Sequence, residues 1–476
     1  MRMKWLATPV ALLAFCASVS LADTHTTGVP QLNSRPGAAY TVYLDVAGFN
    51  YNGTWSGKTP GSTPALADLA SNSIFDASQQ TEIKNIWSRM AQTYIGFNVN
   101  VTTVDPAIAA GQSSTDSLRQ AFYDATPNLM HTVVGSQVRP VGTPNTTPNN
   151  KWYSDGADGV SGLGIVAGVA VTSGDHTNWM FTEAQQGPGF INGDYIGSIS
   201  AHENAHAFGL THQGDWTGST LVNEYSNGDA NPGNGSYVPA VGNSFDRQRL
   251  AWRIGNAHTV NAPEIVNDVK AMLLINNAAF ADNAGRIGVA NLHLIEDGIG
   301  HTRPTATPLS LSGNTIIPSA AKGVIVPLSE ANPAAIGAAN YTEDWFSFSS
   351  TGSLITLICT DGTNFLDPTT SDSVGMLRSS LKIYDANGLL VASGIEDAST
   401  LFETYTGTLP AGTYYAQIGS FGGHAQDSPD FNSASYFDMG AYFLSGSGFA
   451  PVPEPGALSL LLMCGIALAR RRRHAA

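Results

Sequence analysis

The stretch HENAHAFGLTH, residues 202–212, holds three of the chain's 11 histidines. His202 and His206 are four residues apart, so on a helix they lie on one face, one turn above the other. Gly209 allows the chain to leave helical geometry, which lets His212 turn back toward the first pair. Three imidazole nitrogens, each about 2.0–2.1 Å from a zinc ion, fill three of its four tetrahedral positions. The fourth position stays open, as a catalytic site requires. The spacing therefore predicts a zinc ion bound by these three histidines.

Glu203 directly follows the first histidine, and its helical position differs from the face that the histidines share. A bound metal lowers the pKa of its water, and a carboxylate beside that water can take the proton. We therefore predict that Glu203 is a proton acceptor and not a ligand. Asp194 is predicted to cap the start of the helix. Nickel or iron could also bind three histidines, but zinc is the metal we expect with this spacing in an exported protein.

The eleven residues resemble the metzincin signature HExxHxxGxxH at every defined position. The resemblance implies a zinc endopeptidase in which His202, His206 and His212 bind the metal. It also implies that Glu203 is the general base and acid, and that the active-site helix ends at Gly209. In that family an edge strand of the overlying sheet binds the substrate in extended form.

One position departs from the family's pattern. Metzincins place a methionine in a tight turn beneath the metal, and this chain has no methionine between His212 and Met272. Val241, in YVPAVGNSF, stands where the methionine is expected. Valine is smaller and stiffer, so we expect a small void or looser support, with metal binding retained. Tyr225 and Tyr237 are the nearest candidates for the extra tyrosine ligand of some metzincins, and both are predicted to be packing residues.

Three acidic segments are weaker candidates. Asp215 could orient a ligand, although a loop aspartate that caps its own backbone is the favoured interpretation. The Asp-rich turns EDGIG (296–300) and DGTNFLD (361–367) could bind structural calcium. Neither turn has the EF-hand spacing, and solvated turns are favoured there.

Patterning predicts a multidomain chain. Residues 23–290 are expected to form an α/β or α+β metzincin-like catalytic domain, in which the histidine segment follows a helix and four strands. Alternating apolar residues predict half-buried strands, a stripe at helical spacing predicts a helix, and an almost wholly apolar run predicts a central strand. The expected elements are the helix 79–94 and the strands 38–49, 97–104, 131–138 and 162–171.

Residues 296–447 show short alternating runs separated by Gly and Asn turns, which predicts an antiparallel β-sandwich. Asn387-Gly388 is suited to a hairpin turn that needs positive φ. The runs EDWFSFSSTG (343–352), LKIYDANGLL (381–390) and LPAGTYYAQIGS (409–420) resemble the bacterial pre-peptidase C-terminal domain. That resemblance implies a β-sandwich of the kind that follows secreted proteases.

Both ends of the chain carry export signals. Residues 1–22 combine basic residues, an apolar run and a small-residue cleavage site, as a signal peptide does. Residues 451–476 contain Pro-Glu-Pro, an apolar run of 14 residues and four arginines. As a helix this run is about 21 Å long, short for a permanent membrane span of about 30 Å.

The tail resembles a PEP-CTERM sorting segment. This implies export from a Gram-negative bacterium, cleavage by an exosortase-type processing enzyme and transient membrane anchoring through a short transmembrane segment. The final location would be the cell surface, the extracellular matrix or the medium. An ordinary tail anchor is the alternative.

Composition restricts the partners. The net charge is −15 with only 22 lysines and arginines, whereas a nucleic-acid-binding protein needs a basic face. We therefore expect no nucleic-acid partner. Cys359 is the one cysteine between the two terminal segments, so no internal disulfide is expected.

Two functions remain open from the sequence. The first is a secreted zinc metalloendopeptidase that hydrolyses protein or peptide substrates. The alternative is a catalytically weak or inactive metal-binding scaffold at the cell surface or in the extracellular matrix. The valine at position 241 and the sorting tail favour the scaffold, whereas Glu203 favours the enzyme, because a structural metal site needs no general base.

Overall fold

The computed structural model describes most of the chain between residues 26 and 451. The described ranges are 26–66, 74–137, 151–153, 160–170, 174–182, 192–230, 236–243, 247–258, 264–274, 292–328, 341–362, 365–366, 375–421 and 435–451. The predicted signal peptide and all but the first residue of the predicted sorting tail lie outside these ranges. Within them, no helix is both long and apolar enough to cross a membrane.

The N-terminal part mixes short strands with a few helices. In chain order its elements are β1 (Tyr40–Asp45), β2 (Phe49–Tyr51), β3 (Gly61–Thr63), α1 (Ala77–Thr93), β4 (Val99–Thr102), α2 (Pro106–Ala109), α3 (Asp116–Ala125), β5 (Leu129–Gly135), β6 (Gly162–Leu163), β7 (Thr177–Phe181), α4 (Gly193–Ala207), β8 (Asp215–Thr217), β9 (Thr220–Asn223), β10 (Tyr237–Pro239), β11 (Arg249–Ala257), β12 (Glu264–Asn267) and α5 (Asp268–Leu273).

A five-stranded sheet with the order β4-β1-β5-β7-β6 organises this part. Its strands run parallel except for the edge strand β6, which is antiparallel to β7. The side chains of β1 alternate between two cores, because successive residues of a strand point to opposite faces. Val42 and Leu44 pack in the core that holds α1 and α4, whereas Tyr43 packs in an aromatic core with Trp179 and Tyr123. The sheet is therefore covered on both faces.

Helix α4 carries the histidine motif and is fixed to α1 by hydrogen bonds as well as by apolar packing. The Tyr94 hydroxyl donates to the carbonyl of Ala201 at 2.9 Å. Nε of Arg89 donates to the Ser198 hydroxyl, also at 2.9 Å. These buried bonds hold the motif helix in a defined rotation against the sheet, which sets the direction in which its histidines point.

The sequence-based elements of this part are confirmed in some places and wrong in others. The predicted helix 79–94 is α1, and the strands predicted around residues 42, 99 and 131 are β1, β4 and β5. Strand β4 is buried along its whole length rather than on one face. The N-terminal segment covers it: the Ser34 hydroxyl accepts a hydrogen bond from the Val101 amide.

The apolar run 162–171 is not the central strand. The central strand is β5, whereas the run contributes only the two-residue edge strand β6 and then a short 3-10 turn, Gly168–Ala170. The run is apolar because it packs against the histidine helix, where the Ala167 amide donates to the carbonyl of His206 at 2.7 Å. Periodicity cannot distinguish such a buried turn from a buried strand. Strand β7 was not predicted.

The C-terminal part is built almost wholly of strands in the ranges that are described. They are β13 (Thr307–Pro308), β14 (Leu311–Ser312), β15 (Thr315–Ile316), β16 (Lys322–Ile325), β17 (Asp344–Ser350), β18 (Leu354–Thr360), β19 (Ser379–Asp385), β20 (Leu390–Ser393), β21 (Ile395–Glu396), β22 (Glu403–Thr408), β23 (Gly412–Ser420), β24 (Ser435–Phe437) and β25 (Gly440–Ser447).

Two sheets enclose a separate apolar core in this part. One has the order β13-β17-β23-β19-β20, and the other has the order β14-β15-β25-β18-β22-β21 with β16 also paired to β25. The predicted hairpin joins β19 to β20, and Gly388 adopts φ +86° in its turn. The protein is thus multidomain and mostly β, with few helices.

The two parts are joined by more than a linker. Strand β24 pairs antiparallel with β11 of the N-terminal part. Beside this pairing, Nη1 of Arg249 lies 3.0 Å from Oδ1 of Asp438, and both side chains are buried. Phe437 and Met439 belong to the same apolar core as Trp252. A strand within the predicted bounds of the sandwich therefore completes a sheet of the N-terminal part.

Candidate metal centre and catalytic cleft

The histidine helix begins and ends with identifiable caps. The cap at its start is Asn192, whose side chain accepts the amide hydrogen of Tyr195 at 3.1 Å. Asp194 lies in the first turn instead, so the predicted cap is wrong by two residues. At the other end Gly209 has φ +94°, and its amide donates to the carbonyl of His206 at 2.8 Å. The Leu210 amide bonds to Ala205 at 3.1 Å, which completes a Schellman motif.

This exit turn brings the third histidine beside the first two. The ring centroid of His206 lies 4.8 Å from that of His202 and 4.8 Å from that of His212. The centroids of His202 and His212 are 5.3 Å apart. One nitrogen from each ring lies within 4.8 Å of the other two. His202 and His206 are buried, and His212 is partly exposed. The structure therefore brings together the three residues that the sequence singled out.

The partners of the rings define which nitrogens face one another. Nδ1 of His206 lies 2.8 Å from the Leu210 carbonyl, and Nδ1 of His212 lies 3.2 Å from Oε1 of Glu224. Both partners only accept, so we assign the proton of each neutral ring to Nδ1. The two Nε2 lone pairs then face each other at 3.1 Å. Ligand atoms of one tetrahedral zinc ion lie about 3.4 Å apart.

Protonation does not relieve this arrangement at neutral pH. Burial lowers the pKa of His206 to about 4, and the neighbouring His212 contributes to this shift. Burial likewise holds the pKa of His202 well below its ordinary value and lowers that of His212. The neutral rings are the form that a metal ion requires. The donor set and its spacing therefore fit a zinc ion.

Glu203 lies on the wall of the cleft. Its carboxyl lines a cavity of about 960 Å³ that also contains the three histidines. Burial raises the pKa of Glu203 to about 8, and a divalent cation nearby would favour the ionised form. Gly162 of the edge strand lies directly against it, because a Cβ at that position would be 2.6 Å from Cγ of Glu203. Only a glycine leaves room for this carboxyl.

Val241 lies in a tight turn beneath the first histidine. The Gly242 amide donates to the Pro239 carbonyl at 2.9 Å and closes the turn. The backbone of Ala240 and of Gly242 hydrogen-bonds to the His202 ring. The Val241 side chain is fully buried in the main apolar core. The turn thus supports His202 through main-chain acceptors, and the residue at the methionine position fills the core below.

Two residues that sequence reasoning missed lie beside His212. Glu224 accepts from Nδ1 of His212, and Nδ1 of His258 lies 3.9 Å from Oε1 of Glu224. Both line the cavity. No spacing signal could have identified them, because Glu224 follows a short hairpin and His258 follows the last residue of β11.

The two tyrosines that were considered as extra ligands differ in position. The Tyr225 ring centroid lies 4.3 Å from that of His212, and 41% of the residue is exposed in the cleft. Burial raises the pKa of Tyr225 to about 12, and the charges of Glu224 and Glu203 contribute. Tyr225 is therefore a cleft residue and not the packing residue that was predicted. Tyr237 is buried in β10 beneath the Arg249 guanidinium, as a packing residue is.

Asp215 braces the loop that carries Glu224, whereas the sequence favoured an aspartate that caps its own backbone. Its Oδ2 accepts from Nδ2 of Asn223 at 3.2 Å and from the amide of Asn227 at 3.3 Å. Nδ2 of Asn243 in turn donates to Oδ1 of Asn227 at 2.8 Å. The loop beside His212 and the turn beneath His202 are therefore linked by polar contacts.

The Asp-rich turns lie far along the chain from this cleft. In EDGIG, Asp297 accepts the amides of Ile299 and Val324 at 2.9 and 2.7 Å. It also hydrogen-bonds to Asp344. In DGTNFLD, Asp361 accepts the amide of Gly375 at 2.8 Å, and residues 363–364 and 367 lie outside the described ranges. Asp361 is buried and Asp297 is partly buried, so the solvated turns that the sequence favoured are wrong, and calcium remains a prediction.

Comparisons with known proteins give little further information. No family model matches the chain, and no curated protein matches it. Among solved structures the chain is similar to the pre-peptidase C-terminal domain of a collagenase from Bacillus anthracis. The identity is 12%, the match covers 29% of this chain and 94% of that chain, and the TM-score is 0.18. The similarity is distant.

Proposed function

We propose that the protein is a secreted zinc metalloendopeptidase. His202, His206 and His212 would hold the zinc ion, and Glu203 would be the general base and acid. The observation that carries the proposal is the 3.1 Å approach of the Nε2 atoms of His206 and His212, whose Nδ1 atoms each face an oxygen acceptor. With both Nδ1 atoms protonated, the Nε2 lone pairs of the two neutral rings repel one another unless a cation lies between them.

The surroundings of the histidines support a metzincin-like catalytic domain. The motif helix packs beneath a mostly parallel sheet whose antiparallel edge strand β6 lies beside the cleft. In the described ranges β6 pairs only with β7, so its other edge can accept an extended peptide by strand addition. The turn 239–242 lies beneath the first ligand, where metzincins have their methionine turn.

The chemistry follows from which groups face the cleft. Zinc, when bound, supplies a Lewis acid that polarises the scissile carbonyl and makes water more acidic. Glu203 accepts a proton from the water that attacks the carbonyl carbon, and it then delivers this proton to the amide nitrogen as the C–N bond breaks. The carboxylate is regenerated and the products are a free acid and a free amine.

Export and sorting belong to the same proposal. Residues 1–22 would direct secretion, and residues 451–476 would anchor the protein transiently in the membrane until an exosortase-type enzyme removes the tail. The protein would then act at the cell surface, in the extracellular matrix or in the medium of a Gram-negative bacterium. Protein or peptide chains are the expected substrates, and structural calcium is a further expectation in the sandwich.

A metal-binding scaffold is the second candidate. It is favoured by Val241, which occupies the turn beneath His202 where an active metzincin would have methionine. A scaffold has no need of a carboxyl on the cleft wall, whereas Glu203 lines the cavity together with the three histidines. We therefore place the enzyme first.

The test compares the exported, processed protein with Glu203→Gln and Glu203→Ala. Elemental analysis counts bound zinc, and cleavage of an unfolded protein substrate measures activity. We expect one zinc per chain in all three and a loss of cleavage of about 10²–10⁴-fold or more in both variants. Glu343→Gln, at an exposed glutamate in the sandwich, is the matched control.

Two outcomes would reject the enzyme. A parent protein that binds zinc but cleaves no better than the Glu203 variants would establish the scaffold. A correctly folded parent protein that holds no stoichiometric metal after zinc supplementation would remove the basis of both candidates.

A further inference from the structure

We propose that Glu224 and His258 form a second, weaker divalent-cation site on the cleft wall, and that an ion bound there inhibits the enzyme. The inhibition rests on the proposed peptidase function, whereas the site itself does not. The site would bind zinc or a similar transition-metal ion that accepts one carboxylate and one imidazole.

The ligand atoms of this second site already lie together. Oε1 of Glu224 is 3.2 Å from Nδ1 of His212 and 3.9 Å from Nδ1 of His258. The three atoms all lie within 4.8 Å of one another. Carboxylate oxygen and imidazole nitrogen are common zinc ligands at about 2.0–2.2 Å. A small movement of exposed side chains would therefore bring Glu224 and His258 onto one ion.

The backbone holds these side chains in place. The His258 amide donates to the carbonyl of His212 at 2.7 Å. The loop with Glu224 is tied by the Ser226 amide, which donates to the Gln213 carbonyl, also at 2.7 Å. Because main-chain bonds fix both ligand-bearing segments, an ion needs to order only two side chains.

The charge of the cleft favours a second cation. The side chains that line the described cavity include the carboxyls of Glu203 and Glu224 but no lysine or arginine. The chain as a whole carries a net charge of −15. The Glu224 carboxylate, in a cleft without basic side chains, attracts cations from solution. The side chains of Glu224 and His258 are 46% and 29% exposed, so a hydrated ion can reach them and retain water ligands.

The first site makes the second one weaker. His212 turns Nε2 toward the first ion, and its protonated Nδ1 donates to Glu224. The second ion therefore has only two protein ligands and is repelled by the first ion. On binding, it draws the Glu224 carboxylate away from His212 and occupies the wall of the cleft. Both effects oppose turnover.

The experiment measures zinc stoichiometry and cleavage of an unfolded protein over the same range of free zinc. Equilibrium dialysis followed by elemental analysis should show two classes of zinc-binding site in the parent. The second class should fill at a free zinc concentration roughly 100-fold or more above that which fills the first. Cleavage activity should rise as the first class of site fills with zinc and fall as the second class fills. His258→Ala should retain the first class, lose the second, and show no fall in cleavage. His293→Ala, an exposed histidine outside the cleft, is the control and should behave like the parent.

The outcomes separate this inference from the proposed function. The second site would be overturned if the parent binds only one zinc per chain. It would also be overturned if His258→Ala still binds the second zinc and still loses cleavage activity at high free zinc. If the parent binds one zinc tightly but shows no cleavage that depends on Glu203, the peptidase is rejected. The number of zinc ions bound by the parent and by His258→Ala then decides whether the second site exists. If His258→Ala loses the first class through misfolding, His258→Gln provides the same comparison.

Discussion

Nε2 of His206 and Nε2 of His212 lie 3.1 Å apart, while Nδ1 of each ring is engaged by an oxygen acceptor. The acceptors differ in kind. The Leu210 carbonyl belongs to the helix exit, and Glu224 belongs to a loop twelve residues beyond His212. The first acceptor follows from the local motif, whereas the second depends on how the loop folds back.

Removing the Glu224 side chain should weaken zinc binding at the histidine site. Carboxylates that accept from a ligating histidine fix its tautomer, and losing one costs about 10–100-fold in metal affinity. Glu224→Ala should show such a loss in competition with a chelator. Glu224→Gln keeps an acceptor oxygen and should remain close to the parent. Equal zinc affinity in all three proteins would show that Glu224 does not position His212.

Placing a methionine at position 241 should destabilise the protein. Val241 is fully buried in the main core, and a larger side chain in a filled core costs about 1–3 kcal/mol. Urea unfolding of Val241→Met should show this loss, with no gain in zinc affinity. The sequence alone suggested a void at this position. A stabilised Val241→Met protein would demonstrate that the void exists.

Breaking the buried ion pair between the domains should be costly. Arg249 and Asp438 are almost completely buried and 3.0 Å apart, and Asp438→Ala would leave a buried guanidinium without this carboxylate. The expected loss is about 3–5 kcal/mol in the free energy of unfolding. The double variant Arg249→Met with Asp438→Leu should recover much of that loss. A loss below about 1 kcal/mol for Asp438→Ala would argue against a fixed joint.

Stability should depend on the ionisation of Asp344. Burial raises the pKa of Asp344 to about 7, and the nearby charge of Asp297 contributes. In the unfolded chain its pKa is about 3.9. Between about pH 4 and pH 7 the unfolded state has lost this proton while the folded state keeps it, so stability falls as the pH rises.

The Asp344→Asn variant should lack this contribution. Between pH 4 and pH 7 its free energy of unfolding should fall less steeply with pH than that of the parent. The two slopes should differ by up to roughly 1.4 kcal/mol per pH unit. Urea unfolding at several pH values in this range measures the difference. Parallel curves for the two proteins would place the folded pKa of Asp344 near its ordinary value.

Local signals in the sequence predicted the elements whose structure depends on nearby residues. The apolar stripe of α1 and the alternation of β1 are confirmed, because both patterns arise from backbone geometry over a few residues. The run 162–171 was misjudged because burial alone made it apolar. Its partner, the carbonyl of His206, lies 39 residues away from Ala167 in the chain.

The sequence by itself determined the core of the candidate site. The four-residue spacing of His202 and His206 places both on one helix face, and Gly209 ends the helix with positive φ, because each depends on bonds within a few residues. Only the tertiary structure decided that Glu224 and His258 lie beside His212 and that Gly162 leaves space for Glu203. Those neighbours come from separate loops and strands, and long-range packing sets their distances.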